Sequence, residues 1–125
     1  MLLKIIAWED RPEIRRDDIV DICDVLNYYF EMHSDEIYEE HSDIFADENA
    51  ETATLIELSA RVMGREIKGI AQRNGKLLAR ISKILEANTA DPATSKMAEI
   101  MVQYFNNTIE ESMRLLQYLK VGFDE

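Results

Sequence analysis

The residues best equipped for chemistry open the chain: Lys4, Trp8 and Arg11, followed by Asp18 and Asp21. At helical spacing Lys4, Trp8 and Arg11 share one face, so two cations flank an aromatic ring, and Asp18 and Asp21 are neighbours at i, i+3. Cations oriented by nearby acids can hold a phosphate group. The same residues can also be structural. Asp17 or Asp18 is placed to cap a helix, and Lys4 and Arg11 can pair with Asp21 and Asp24 to lock two helices together.

A second set of cations lies mid-chain. Arg61, Arg65 and Lys68 follow one another at i, i+4, i+7, and Arg73, Lys76, Arg80 and Lys83 form another row. These seven residues are half of the 14 lysines and arginines. Arg61, Arg65 and Lys68 are the candidate anion site for RNA or a nucleotide. Alternatively both rows are a solvated face paired with the acids between Glu31 and Glu51, a stretch without one basic residue.

Most familiar catalytic arrangements are missing. His33 and His41 are the only histidines, and although Glu36, Glu39 and Glu40 lie between them, neither HExxH nor a Cys/His cluster is formed. An acidic solvated face explains the same residues, and no metal is expected. Neither histidine has an arginine four to six positions before it, the pairing used by one class of helical ribonuclease. Gly64, Gly69, Gly75 and Gly122 make neither a P-loop nor a dinucleotide loop. Inside a helix Gly64 and Gly69 each cost about 1 kcal/mol against alanine, which points to close approach of another helix. Asn106-Asn107-Thr108 matches a glycosylation acceptor, which in a cytosolic chain is an accident.

The elements that position these residues are set by composition and periodicity. In 125 residues there are four glycines and two prolines, and helix formers are plentiful, so the expected fold is all-α, a single helical domain over 1–125. Leu2 to Trp8 reads as a short buried helix or the end of one, closed by Arg11-Pro12. Ile19, Ile22, Cys23, Leu26 and Phe30 give one face of a second helix ending near His33. One or two further turns start from Ser34, with a loop through Asp47-Glu48-Asn49. Leu55, Leu58 or Ser59, Val62, Met63, Ile67, Ile70 and Ala71 trace a long helix stopping near Asn74-Gly75, read as a C-cap pair. Leu77, Leu78, Ile81, Ile84 and Leu85 repeat the pattern. Pro92 suits the first position of the next helix, after an Asp91 cap. From there to Leu119 runs one helix, or two joined near Asn106-Asn107, packing Met97, Met101, Phe105, Ile109, Met113 and Leu116. With short connections, these pieces predict a four- to six-helix antiparallel bundle.

The net charge of -11 argues against general nucleic-acid binding, leaving only a local basic face. The opening MLLKIIAWEDRP is charged too soon for a signal peptide, and no stretch approaches the roughly 20 apolar residues of a membrane helix. With a single unpaired Cys23 the expected location is cytoplasmic, with no membrane association.

Lys4, then Arg11, then Arg16, Asp17, Asp18 and Asp21 resemble the Lys…Arg…(Lys/Arg)-Asp-x-x-Asp motif of abortive-infection-type nucleotidyltransferases, the toxins of some bacterial toxin-antitoxin pairs. The stretch Ala60-Arg61-Val62-Met63-Gly64-Arg65-Glu66-Ile67 is similar to the segment beyond that motif in related predicted nucleotidyltransferases. In that family a polymerase-β-like sheet carrying a Gly-Ser pair and a metal-binding Asp-x-Asp precedes a helical half, and the resemblance covers only the helical half. It implies Lys4, Arg11, Asp18 and Asp21 as nucleotide-site or scaffold residues. The chain departs from the motif in carrying Asp17 where the basic residue is expected, and it has no Gly-Ser pair and no Asp-x-Asp on a strand. Two-metal nucleotidyl transfer needs paired carboxylates to hold Mg²⁺ against the triphosphate, so no catalysis is expected from the chain alone. Mg²⁺ and NTP belong to it only if a catalytic half is joined. The other expectation is a free-standing acidic interaction protein, an antitoxin-like partner or a homodimer.

Overall fold

A computed structural model describes residues 2–13, 15–46 and 52–125. Among them are seven helices and no strand: α1 (Leu2–Asp10), α2 (Arg16–Glu40), α3 (Asp43–Ala46), α4 (Leu55–Ala71), α5 (Gly75–Thr89), α6 (Lys96–Phe105) and α7 (Ile109–Asp124). The fold is an all-α bundle, as composition and periodicity require. The loop expected at Asp47–Asn49 lies outside the described residues.

The helix starts obey capping chemistry, though not always at the residues the sequence suggests. Arg15 precedes α2 with no side-chain cap, and Asp17 and Asp18 stand in the first turn, where they face the positive end of the helix dipole. Asn74 does not close α4. Its extended backbone starts α5, and its side chain accepts from the Lys76 and Leu77 amides at 3.1 and 3.3 Å. Asp91 takes the Ala93 amide in a turn, and α6 begins later, capped by Ser95. Thr108 caps α7 by accepting from the Glu111 amide. Between α6 and α7 the chain reverses at Asn106, whose φ of 52° is left-handed, so the last region is two helices joined where the Asn pair stands. The break expected near His33 is a kink: α2 departs from helical dihedrals there and then continues.

The core is drawn from every helix. Ile5 and Trp8 of α1 join Ile19, Ile22, Cys23 and Leu26 of α2, Ile44 of α3, Met63 and Ile67 of α4, Ile81 and Leu85 of α5, and the Met97, Met101, Met113 and Leu116 predicted near the C-terminal end. The broadest helix contact is between α4 and α7. Its partners rise together along the chain, Glu57 with Arg114 and Lys68 with Phe123, so this pair runs parallel within the bundle, not antiparallel as expected. Two glycines make the crossing possible. A methyl group on Gly64 would run into the Leu119 carbonyl and lie 2.7 Å from the Phe123 amide, and one on Gly122 would strike the Arg61 backbone. Gly69 has open space around it, so of the two glycines within α4 only Gly64 marks the expected close approach.

Candidate functional site

Packing α1 across the start of α2 brings Lys4 onto two carboxylates. Its ammonium lies 2.8 Å from Asp21 and 3.5 Å from Asp18. Asp18 is 4 % exposed, and its other partner is Arg15, one helical step earlier, which reaches it with two nitrogens at 2.6 and 3.1 Å. The Arg15 hydrogen bonds hold the Asp18 carboxyl below its ordinary range against the opposing effect of burial, with Lys4 adding to them. The Asp21 hydrogen bond raises Lys4 in return.

Of the four residues implied by the resemblance, Lys4, Asp18 and Asp21 therefore converge and Arg11 does not. The helix ends at Asp10, and the exposed Arg11 side chain makes no ion pair among the described residues. Arg15, which the motif does not single out, takes the place that Arg11 was given; its i, i+3 spacing to Asp18 was the available signal. Asp24, the other acid expected to lock helices, accepts from the Tyr104 hydroxyl at 2.5 Å and joins α2 to α6. The cluster is built of complementary charges that satisfy one another, the arrangement of a helix lock.

The mid-chain cations turn toward the C-terminal end. Arg61 lies 2.5 Å from Glu125. Arg65 also holds Glu125, takes both oxygens of Asp43 at 3.0 and 2.6 Å, and meets His41 Nδ1 at 3.0 Å. Its guanidinium depresses the Asp43 carboxyl and is itself raised, chiefly by the Asp43 hydrogen bond. Lys68 donates to the Phe123 carbonyl and lies over the Phe123 ring, 5.5 Å from its centre. Arg61, Arg65 and Lys68 thus tie α3, α4 and the end of α7 together. In the second row Arg80 pairs with Glu9, at 3.0 Å, and Asp10.

At the end of α2, Glu36, Glu40 and His41 bring one ligand atom each to within 4.8 Å of one another, and His33 lies 3.5 Å from Glu36. Arg65 already occupies His41 Nδ1, which sets a guanidinium charge against any cation placed there.

A surface that the periodicity missed lies on the other side of α2. A cleft of about 340 Å³ is lined by Leu2, Leu3, Val25, Tyr29, Met63, Glu66, Ile67 and Ile70, almost all apolar. Its one polar pair is internal: Tyr29 donates to Glu66 at 2.5 Å. Burial first, then that bond, pushes the phenol up. Leu3 and Ile70 are 78 % and 60 % exposed, and Met32, which follows Val25 at helical spacing on α2, is exposed as well. Ile70 continues the α4 repeat and was expected in the core. Ile67 and Ala71 of the same repeat are buried, so Ile70 stands at the edge of the covered face of α4.

Among the described residues no helix is long and apolar enough to cross a membrane. Comparison with protein-family models, curated proteins and solved structures finds no match for the chain.

Proposed function

We propose that the chain is a helical binding module without chemistry of its own, docking a protein partner on the strip formed by α1, α2 and α4. The observation that carries this reading is the exposed Leu3, Val25 and Ile70 around one apolar cleft, with Met32 further along the same face of α2. In a chain with 31 % charged residues, apolar side chains gathered on one face mark an interaction surface more than an ordinary exterior. Glu31 and Asp35 stand beside Met32 along α2, and Glu66 lines the cleft, so the partner is expected to offer an apolar ridge edged with cations.

The resemblance supplies the partner's class: a polymerase-β-like catalytic half bearing the Gly-Ser pair and Asp-x-Asp that this chain lacks, with Mg²⁺ and NTP bound there. In this reading Lys4, Asp18 and Asp21 are scaffold residues that hold α1 against α2 and so shape one wall of the strip. The test is co-expression with the product of an adjoining frame that encodes such a sheet, followed by affinity measurement with the wild-type chain and with Leu3→Glu and Ile70→Glu. Binding weakened at least roughly tenfold by either exposed substitution supports the reading. Undiminished binding places the surface elsewhere. Concentration-dependent self-association lost in the same variants would favour the homodimer.

A further inference from the structure

The cleft between α1, α2 and α4 carries one polar feature, and its geometry indicates which group a partner sets there. Glu66 of α4 is exposed at the cleft, and the Tyr29 hydroxyl from α2 donates to its Oε1 at 2.5 Å. Tyr29 is itself 5 % exposed, and its ring lies 4.5 Å from that of His33, which faces Glu36. The buried phenol is therefore a strut that holds the carboxylate at the cleft and leaves its Oε2 without a hydrogen bond.

No cation answers Glu66 among the described residues. The basic side chains that flank the lining residues along the chain are engaged elsewhere: Lys4 with Asp18 and Asp21, Arg65 with Asp43 and Glu125, and Lys68 with the Phe123 carbonyl. No lysine or arginine lines the cleft. Around Glu66 stand the exposed Leu3, Val25 and Ile70. An apolar cleft with one unpaired carboxylate matches a side chain that has an apolar stem and a cationic tip.

Of the two such side chains, the hydrogen bonding favours one. Arginine gains most when its planar fork takes both oxygens of a carboxylate, and here Tyr29 already holds one of them. A lysine ammonium is a compact charge that needs only the other. Resting on the docking reading above, we propose that the partner anchors itself with a lysine, its stem between Leu3, Val25 and Ile70 and its ammonium on Glu66 Oε2. Tyr29 is then a positioning residue, and Glu66 is the residue that makes the surface select a basic partner.

The probe is n-pentylammonium, a mimic of the lysine stem and tip, with n-pentanol and pentanoate as its neutral and anionic counterparts. Methyl NMR of the full chain should show saturable shifts at Val25 and Ile70 with the ammonium, binding at least roughly threefold tighter than the alcohol, as an exposed ion pair allows. Pentanoate should give none. Glu66→Gln keeps an acceptor for Tyr29 and should erase the preference for ammonium while leaving alcohol binding unchanged. Glu66 is exposed, so the spectrum of this variant should keep its dispersion. Tyr29→Phe releases the carboxylate and should lower the preference without removing it. No saturable shift with the ammonium, equal binding of ammonium and alcohol, or a preference that survives Glu66→Gln would overturn the lysine anchor. Tighter binding of n-propylguanidinium than of n-pentylammonium would overturn the choice of lysine over arginine. The docking reading fails separately, when Leu3→Glu and Ile70→Glu leave partner binding undiminished.

Discussion

Asp18 shows most directly what the N-terminal charges do. Its carboxylate is buried between Arg15 and Lys4 and titrates below its ordinary value. A group depressed in the folded state contributes stability above its unfolded pKa and loses it as pH falls through the folded value. The acid limb of the stability profile should therefore decline below the ordinary carboxylate range. In Asp18→Asn that decline should be shallower, on a protein already less stable at neutral pH. Urea midpoints measured across the acid range check this; parallel profiles for the two proteins would remove Asp18 from the lock. Cys23 gives a second residue-level expectation, because burial first, with Asp24 nearby, pushes its thiol up to about 12. At neutral pH it should react with Ellman's reagent only as fast as the protein opens. The Lys4–Asp21 pairing was legible in the sequence, since both stand on helix faces that meet. Arg65 and Glu125 are 60 positions apart, and no periodicity joins residues brought together by a helix crossing.

At the level of elements, the two glycines of α4 should respond to alanine with opposite signs. At Gly64 the added methyl meets the α7 backbone, which cannot move aside as a side chain could, and the loss should be about 3 kcal/mol or more. At Gly69 it meets nothing, so the better helix former should stabilise by roughly 0.5–1 kcal/mol. Chemical denaturation of both variants tests the contrast, and equal effects would contradict the crossing. Asn74→Ala should cost about 1 kcal/mol, the worth of an N-cap. The sequence placed Asn74 and Gly75 at the right boundary but on the wrong helix. An asparagine can end one helix or begin the next, and only its extended backbone dihedrals decide which. Ser95 was overlooked for a related reason, because Asp91-Pro92 carries a helix-start signal that is used instead for a turn.

For the whole molecule, the all-α fold was readable because scarce glycine and proline, with apolar residues at helical spacing, leave few alternatives. The parallel sense of α4 and α7 was not, since it depends on the path the chain takes through α5 and α6. Nor could spacing distinguish Ile67, buried in the core, from Ile70, exposed on the apolar strip. Most of the conspicuous cations hold helices together, so the proposed function places recognition on the apolar face of α1, α2 and α4. Incubating the isolated chain with labelled NTPs and Mg²⁺ tests that division most directly. No incorporation of label into protein or added RNA above a blank is expected; turnover that disappears in Lys4→Gln would show that the N-terminal cluster works on nucleotide and contradict the division.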